Sequence, residues 1–320
     1  MKIVLLEPLA IKEEVLSKLS QELLDMGHEF IAYDEVGKDD EILKERVKDA
    51  DILIIANSPL SGQVIRAASK LKYISIAFTG FDHIDLQTCK EMNIRVSNAQ
   101  GYATDAVAEL TLAMIISLLR NIIPSDKVVR QEGTKAGLVG NELNGKTVGI
   151  VGTGSIGLKV AELLKVFNCK LLGYSRSESP RARELGIKYL SLDELLSQSD
   201  IVSLHLPLND KTKGLISKEK IGLMKNTGLL INTARGPVLD SKAVADALNS
   251  GKIGGAAIDV FENEPPIRPD HPLFHSKNTL VTPHVAFATE ESMVKRANIV
   301  FDNVYSWLKG EEKNIIQILY

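Results

Sequence analysis

Short β-branched runs alternate with amphipathic helical patterns along almost the whole chain of 320 residues. The first five predicted strands span residues 2–6, 29–33, 51–56, 73–78 and 94–97. A second series of six spans residues 147–151, 170–174, 201–206, 228–232, 255–260 and 279–282. These runs lack the strict alternation of a half-buried strand, so they suit parallel sheets that helices cover on both faces. The pattern predicts an α/β fold of the doubly wound type.

The two series of strands indicate two domains, and the first division falls near residue 100. The longest helical pattern, 103–121, ends near Pro124 and is followed by a polar, glycine-richer stretch at 132–145. A last amphipathic pattern at 290–308 comes after the second series of strands. Because it follows a sheet that is already complete, this helix can pack back on the first domain.

Composition excludes several classes of protein. Lys and Arg number 38 against 41 Asp and Glu, without a basic block, so nucleic acid is not an expected partner. The most apolar segment, 110–119, is about half the ~20 residues that span a bilayer. Cys89 and Cys169 cannot form a disulfide framework. His271 and His275 have the i, i+4 spacing of two metal ligands on one helix face, but the prolines beside them argue against a helix there. We therefore expect a soluble cytoplasmic protein with neither a metal nor a membrane partner.

The segment Gly152-Thr153-Gly154-Ser155-Ile156-Gly157 lies between the predicted strand 147–151 and a helical pattern at 158–167. This is the context in which a G-x-G-x-x-G sequence binds a dinucleotide. Gly152 permits a tight turn, Gly154 lets the backbone approach a pyrophosphate, and Gly157 lets the helix pack closely on the strand. We predict a dinucleotide site here, the alternative being an ordinary strand–helix turn.

The residues after the next strand bear on the choice of coenzyme. An NAD site normally has Asp or Glu at this position, which accepts hydrogen bonds from the ribose hydroxyls. The chain has Ser175-Arg176-Ser177 instead. A guanidinium and two hydroxyls suit a 2′-phosphate, which a carboxylate would repel. We therefore expect NADP, or use of both NADP and NAD, the alternative being a solvated loop in an enzyme that holds NAD by other contacts.

Three further segments follow predicted strands of the second domain, namely residues 232–237, 259–265 and 282–287. In an open α/β sheet, ligands bind outside the carboxyl ends of the strands, so these segments can converge. They carry Arg235, Glu264 and His284. Each of these residues alone is better explained by an ordinary surface or loop contact, and only the combination indicates a site.

Together with the glycine loop, these segments resemble the D-isomer-specific 2-hydroxyacid dehydrogenase family. The resemblance covers nearly the whole chain, and its motifs are Gly80-x-Asp82-x-Ile84-Asp85, the glycine loop, His205-Leu206-Pro207, Asn232-Thr233-Ala234-Arg235-Gly236, Asp259-Val260-Phe261 and Pro283-His284. It implies a Rossmann coenzyme domain inserted in a flavodoxin-like substrate domain. Residues 1–100 plus 289–320 would form the substrate-binding domain, and residues 101–288 the dinucleotide-binding domain. It also implies a homodimer, for which 110–119 and 132–145 are candidate contacts unless they are buried core.

The resemblance implies a role for each site residue. Arg235 would pair with the substrate carboxylate and polarise the 2-oxo group. His284 would donate a proton to the carbonyl oxygen as the nicotinamide delivers hydride, and Glu264 would hydrogen-bond and orient the imidazole. The Thr233 carbonyl and Asp259 would hold the nicotinamide carboxamide. Further cofactor contacts are expected from His205, Pro207, Thr212 and Ala234, and substrate contacts from the backbone at Thr79 and Gly80.

The chain departs from the commoner pattern of the family at two places. Ser175 replaces the usual Asp, which puts a preference for NAD in doubt. After the histidine, Val285-Ala286-Phe287 is similar to the D-lactate and D-2-hydroxyisocaproate dehydrogenase branch. Phe287 would form an apolar wall against the substrate side chain and Tyr102 would lie near the substrate carboxylate, unless Phe287 is only core and Tyr102 only begins a helix.

The leading hypothesis is an NAD(P)H-dependent reductase that converts small 2-oxo acids into D-2-hydroxy acids, similar to D-lactate dehydrogenase. A glyoxylate/hydroxypyruvate reductase is the alternative, which the Ser-Arg-Ser element also suits. A 3-phosphoglycerate dehydrogenase is less expected, because the chain ends soon after its last helix and adds no basic residues for a substrate phosphate. The complete set of Arg235, Glu264 and His284 argues against a dinucleotide-sensing protein without catalysis, like the related corepressors.

Overall fold

The computed structural model describes residues 1–264 and 266–317. Pro265, the last residue of segment 259–265, and residues 318–320, the end of the expected substrate-binding domain, lie outside the described residues. The chain divides into two compact units. The first unit consists of Met1–Ala103 and Ala288–Tyr320, and the second unit of Thr104–Phe287.

The helices and strands alternate as the α/β prediction requires, and that prediction is confirmed. The strands are β1 (Lys2–Leu5), β2 (Glu29–Ala32), β3 (Ile52–Ile55), β4 (Tyr73–Ile76), β5 (Arg95–Asn98), β6 (Thr147–Val151), β7 (Lys170–Tyr174), β8 (Lys188–Tyr189), β9 (Ile201–Leu204), β10 (Leu229–Asn232), β11 (Gly255–Ile258) and β12 (Thr279–Val281). The helices are α1 (Glu13–Asp25), α2 (Asp40–Val47), α3 (Gly62–Ala67), α4 (Leu86–Glu91), α5 (Thr104–Leu119), α6 (Ile122–Val129), α7 (Ser155–Val166), α8 (Pro180–Glu184), α9 (Leu192–Gln198), α10 (Lys218–Leu223), α11 (Ser241–Asn249) and α12 (Glu290–Leu308).

The first unit is built on a parallel sheet with the strand order β2-β1-β3-β4-β5. All four residues of β3 and of β4 are buried, as expected for strands that helices cover on both faces. The helix α12 packs against this sheet although it comes last in the chain. The Tyr73 ring stacks on the Trp307 ring at 5.0 Å, and the Ser75 hydroxyl donates a hydrogen bond to the Val300 carbonyl.

The second unit is built on a seven-stranded parallel sheet with the order β12-β11-β10-β9-β6-β7-β8. The strand order reverses between β6 and β9, and such a switch point is where doubly wound sheets bind dinucleotides. The helix α5 buries eight residues and packs against α7, β10 and β11. Five of the ten residues of the apolar segment 110–119 are therefore buried in the core of this unit.

Two elements of the second unit differ from the sequence prediction. The helix expected over 103–121 ends at Leu119, and Asn121, with a φ of 52°, separates it from the short helix α6. Pro124 lies in the first turn of α6. A backbone N–H at this position would have no intrahelical acceptor, so the lack of one in proline does not weaken the helix. The two-residue strand β8 was also not expected.

No single helix within residues 1–264 and 266–317 is long and apolar enough to cross a bilayer, and α5 with α6 reaches that composition only as a pair bent by 58°.

Candidate active site

The glycine loop joins β6 to α7, and two of its glycines are required by the backbone. A Cβ at Gly152, where φ is 100°, would lie 2.3 Å from the carbonyl oxygen of His205. A Cβ at Gly157 would lie 2.0 Å from the carbonyl oxygen of Gly152. Both contacts are far too short for a side chain. Glycine at 152 therefore lets the loop lie against His205, and glycine at 157 lets α7 begin close to the turn.

The space outside the loop is open at Gly154, where a pyrophosphate contact is predicted. Gly154 is exposed and nothing lies within 4 Å of the place where its Cβ would be. The next residue, Ser155, is exposed and begins the twelve-residue helix α7, with Ile156 half-buried behind it. The first N–H groups of a helix have no intrahelical acceptor and attract an anion. Thr153 faces inward, and its hydroxyl shares a 2.7 Å hydrogen bond with the Tyr189 phenol.

The loop after β7 has the composition expected of a 2′-phosphate site. Ser175 is half-buried, and Arg176 and Ser177 are exposed. Among the residues that the structure describes, Arg176 makes neither a hydrogen bond nor an ion pair. The neighbouring arginines are paired, Arg181 with Glu184 at 3.0 Å and Arg183 with Glu178 at 2.6 Å. The guanidinium of Arg176 is therefore available to an anion.

His205 begins a turn that follows β9 and lies against the glycine loop. Its Nε2 is 2.9 Å from the Ser203 hydroxyl, while its Nδ1 is buried and has no hydrogen-bond partner within the described residues. The residue as a whole is partly exposed, but burial of the imidazole lowers the pKa of His205 to about 4. The Thr212 hydroxyl closes the turn by donating to the Pro207 carbonyl at 2.6 Å.

The segments with Arg235, Glu264 and His284 leave the sheet side by side. They follow β10, β11 and β12, which are neighbours, and the terminal residues of these strands are register partners: Asn232, Ile258 and Val281. A Cβ at Gly236 would lie 2.1 Å from the carbonyl carbon of Phe261, so the first two segments touch through their backbones. The second and third segments are joined by the contact between the side chains of Glu264 and His284.

Asn232 holds the backbone that carries Arg235. This buried amide accepts a hydrogen bond from the Ala234 N–H at 3.1 Å and donates one to the Arg235 carbonyl at 3.0 Å. Thr233 is buried too, and its hydroxyl shares a 3.0 Å hydrogen bond with that of Thr111 on α5. The half-buried Arg235 guanidinium donates to the Ala234 carbonyl at 2.8 Å.

Glu264 binds the imidazole of His284 directly. Its Oε2 lies 2.5 Å from His284 Nδ1, and its Oε1 accepts a hydrogen bond from the Phe261 N–H. The carboxylate is thus fixed at both oxygens, and Nε2 is the imidazole nitrogen that does not face it. The Phe287 ring packs edge-on against the imidazole with the ring centroids 5.4 Å apart. An apolar surface therefore adjoins the His284 imidazole.

Asp259 holds the loop on which His284 lies. It has no exposed surface, and its carboxylate accepts hydrogen bonds from the Thr282 hydroxyl at 2.5 Å and from the N–H groups of Val285 and Ala286 at 2.9 Å. Burial raises the pKa of Asp259, against the lowering effect of these donors. Its expected contact with a nicotinamide carboxamide stays a prediction.

The first unit contains the remaining expected residues, Thr79, Gly80 and Tyr102. Thr79 is exposed, Gly80 half-buried, and the Thr79 carbonyl accepts a hydrogen bond from the Asn98 amide at 2.7 Å. Tyr102 is buried with its ring edge-on to Phe78 at 5.9 Å. Their substrate contacts remain predictions.

A buried arginine that the sequence did not single out lies beside these aromatic rings. The guanidinium of Arg296, from α12, is 4.9 Å from the centre of the Phe78 ring and 5.9 Å from that of Tyr102. Burial lowers the pKa of Arg296, and its hydrogen bond with Tyr102 opposes this shift. Arg296 and the positioning amide of Asn98 were missed, and Asn232 was noted only as part of a motif, because a buried polar side chain cannot be told from an exposed one by spacing alone.

Comparison with known proteins decides the family. Residues 112–286, all within the second unit, match the family model described as the NAD binding domain of D-isomer specific 2-hydroxyacid dehydrogenases. The chain belongs to this family. It is 40% identical over 279 residues to the glyoxylate reductase of Thermofilum pendens, across 85% of this chain and 82% of that protein.

Solved structures of similar proteins cover the whole architecture. An acyclic imino acid reductase in complex with NADPH and D-Arg has a TM-score of 0.89 at 29% identity, covering 99% of this chain and 100% of that one. The D-lactate dehydrogenase of Aquifex aeolicus, complexed with NAD and lactic acid, has a TM-score of 0.84 at 31% identity, covering 97% and 96%. As a D-isomer specific 2-hydroxyacid dehydrogenase, the protein is an NAD(P)-dependent oxidoreductase with a Rossmann coenzyme domain.

Proposed function

We propose that this enzyme reduces small 2-oxo acids to D-2-hydroxy acids with Arg235, Glu264 and His284 as its catalytic residues. The observation that carries the proposal is the 2.5 Å contact between Glu264 Oε2 and His284 Nδ1, on a loop that Asp259 fixes. An imidazole oriented in this way has one nitrogen to exchange a proton with substrate. Residues 1–103 with α12 would bind substrate and residues 104–287 would bind the coenzyme.

The residues have distinct tasks in this reaction. A bound reduced nicotinamide supplies hydride to C2 of the 2-oxo acid. His284 Nε2 gives its proton to the carbonyl oxygen, so that the product is a neutral hydroxyl, and Glu264 stabilises the imidazole orientation throughout. Arg235 binds the substrate carboxylate, which a planar guanidinium can do with two parallel hydrogen bonds. Thr79 and Gly80 would add backbone contacts to that carboxylate, with Tyr102 near it.

The acid–base assignment is tested by His284→Ala, with His275→Ala as the matched control at an exposed histidine. We expect His284→Ala to lower kcat by about 10²–10⁴-fold, the usual contribution of a positioned general acid. The control should leave kcat unchanged. Unchanged turnover of every 2-oxo acid by His284→Ala would show that another group supplies the proton.

We propose NADP as the preferred coenzyme, or use of both coenzymes. The support is the exposed Arg176, unpaired among the described residues and flanked by Ser175 and Ser177, with no carboxylate at the end of β7.

Arg176→Ala should lower kcat/KM with NADPH by about tenfold or more, since a charge-assisted hydrogen bond contributes ~1.5–3 kcal/mol. NADH kinetics should not change. Arg181→Ala, which removes a nearby arginine paired with Glu184, is the control. A strong NADH preference in the parent enzyme would overturn the assignment.

The substrate is proposed to carry a small alkyl side chain, as pyruvate does, because the Phe287 ring borders the imidazole at 5.4 Å. A second candidate is a glyoxylate or hydroxypyruvate reductase, which the 40% identity to a glyoxylate reductase favours. Steady-state kinetics with pyruvate, 2-oxoisocaproate, phenylpyruvate, glyoxylate and hydroxypyruvate, each with both coenzymes, separates the two. A kcat/KM for glyoxylate or hydroxypyruvate that exceeds those for the other three acids would favour the second candidate.

We propose that the enzyme works in the cytoplasm as a homodimer. No residue of α6 is buried within the second unit, and α6 and residues 133–142 line a cavity of about 610 Å³. Val129 and Val139 beside it are 67% and 85% exposed. Light scattering should give twice the 35.0 kDa of one chain, and Val139→Glu should shift the mass toward the monomer. Fractionation of cells would test the location.

A further inference from the structure

The hydroxyl of Tyr189 connects two loops of the second unit that are distant in sequence. It shares a 2.7 Å hydrogen bond with the hydroxyl of Thr153, the second residue of the glycine loop. It also accepts a 3.2 Å hydrogen bond from the N–H of Ser179, which lies two residues after Ser177. One phenol oxygen therefore contacts both the loop that would bind pyrophosphate and the loop that would bind the 2′-phosphate.

The local architecture leaves room for this contact. Tyr189 lies on the edge strand β8, where it is the register partner of Gly173 in β7. A Cβ at Gly173 would lie 2.6 Å from Ile187 Cγ2, 3.3 Å from Thr153 Cγ2 and 3.4 Å from Tyr189 Cε1. Gly173 therefore lies directly beside the threonine and the tyrosine, and a larger residue there would crowd Ile187 first. Because Thr153 is buried and Tyr189 half-buried, these hydroxyls are shielded from competing water.

We propose that Tyr189 is a positioning residue for coenzyme selection, which holds the loop of residues 175–179 at a fixed distance from the glycine loop. This inference rests on the proposed binding of NADP at these two loops. The pyrophosphate and the 2′-phosphate belong to one ligand, so both loops bind it well only at one separation. NADH has no 2′-phosphate and depends less on the position of Arg176.

The variant Tyr189→Phe removes the hydroxyl and keeps the ring. We expect kcat/KM with NADPH to fall about fivefold and that with NADH to change by less than about twofold, in keeping with the net value of one or two neutral hydrogen bonds. Tyr305→Phe is the matched control, since it removes a hydroxyl that donates to the Leu19 carbonyl in the first unit. The control should not change the ratio of the two coenzymes.

The double variant Tyr189→Phe/Arg176→Ala tests whether the phenol acts through the loop. We expect Tyr189→Phe to leave the coenzyme ratio unchanged once Arg176 is absent, so that the two effects are not additive. Where Arg176→Ala itself changes the coenzyme ratio, additive effects would overturn the proposal and leave only a structural role. An equal loss with both coenzymes from Tyr189→Phe alone would do the same.

Failure of the proposed coenzyme site gives a different result. In that case Arg176→Ala leaves the coenzyme ratio unchanged, whatever the tyrosine variant does. The dissociation constants of NADPH and NADH, measured by fluorescence titration of Tyr189→Phe, then decide the inference: a changed ratio supports positioning through another contact of the loop, and an unchanged ratio refutes it. The melting temperature of each variant reports any general loss of stability.

Discussion

His284 has a backbone conformation that is rare for a residue with a side chain. Its φ of 53° lies in the left-handed region, which costs an L-residue roughly 1–2 kcal/mol. The conformation persists because Asp259 holds the residue and its neighbours: the His284 N–H donates to the Asp259 carbonyl at 2.7 Å, and the next two N–H groups donate to its carboxylate. The imidazole orientation thus depends on a carboxylate that need not touch substrate.

Asp259→Asn should reduce both activity and stability. The amide has one acceptor oxygen in place of two, so an N–H of Val285 or Ala286 loses its partner and the loop shifts. We expect a decrease in kcat/KM of roughly 10²-fold, the size that a misplaced catalytic group produces. Kinetics and thermal denaturation measure the two effects. Asp246→Asn, at an exposed aspartate paired with Lys242, is the control. Full activity of Asp259→Asn would show that the loop is held by other contacts.

His205 should make the stability of the enzyme depend on pH. The folded-state pKa, about 4, is below the ordinary value of 6.5, so between these values the unfolded chain binds more protons than the folded chain. The free energy of unfolding therefore falls as the pH is lowered from 6.5 toward 4. Between pH 7 and pH 5 the loss from this one residue is at most about 2 kcal/mol.

The variant His205→Gln isolates this effect, because it cannot take up the proton. Denaturant unfolding of the parent and the variant at pH 7 and pH 5 gives the difference in pH dependence. We expect the parent to lose more stability than the variant over this interval. If the free energy of unfolding changed with pH equally in the two proteins, His205 would have the same pKa in the folded and the unfolded state.

The glycine loop is the element whose geometry is most tightly constrained. Gly157→Ala places a Cβ 2.0 Å from the Gly152 carbonyl oxygen, whereas the Cβ of Gly154→Ala has no atom within 4 Å. The first substitution should lower the free energy of unfolding by about 3 kcal/mol or more, because backbone must move. The second should keep the melting temperature and weaken coenzyme binding, since its methyl group occupies the space outside the loop.

Circular dichroism melts and coenzyme titrations of the two alanine variants test this contrast. Equal melting temperatures would contradict the close approach of α7 to the turn. Unweakened binding of both coenzymes by Gly154→Ala would contradict the placement of pyrophosphate at this loop.

Strand positions could be predicted from the sequence because fully buried parallel strands are continuous apolar runs. The elements that were missed lack this signal. The strand β8 has only two residues, one exposed and one half-buried. The helix α6 buries nothing, and its Pro124 signals a helix end unless its place in the first turn is known. The site residues recognised from sequence lie in loops after strands, whereas Tyr189 and Asn232 act on those loops through contacts that sequence spacing does not show.

The division of the whole molecule into units does not follow the order of the chain. The first unit needs α12, which buries Met293, Ala297, Val300, Phe301 and Val304 and donates a hydrogen bond from Asn303 to the Asn98 carbonyl at 3.0 Å. The second unit, Thr104–Phe287, is continuous. A separately expressed fragment of residues 104–287 should therefore fold, and one of residues 1–103 should not.

Circular dichroism and coenzyme fluorescence of the two fragments test this prediction. We expect a cooperative melt and coenzyme binding from fragment 104–287, and neither from fragment 1–103. Adding a peptide of residues 288–317 to the second fragment should restore helical signal. A cooperative melt of fragment 1–103 alone would show that its sheet is stable without α12.

The late position of α12 also has a consequence for synthesis on the ribosome. The five strands of the first unit leave the exit tunnel before residue 104, but the helix that covers them begins at Glu290. At ~5–20 residues per second, that helix follows roughly 10–40 s later. The continuous second unit can fold in this interval, while the nascent first unit exposes the buried face around Tyr73 and Ser75. The first unit should therefore finish folding after the second unit, and the enzyme should depend on chaperones most during that delay.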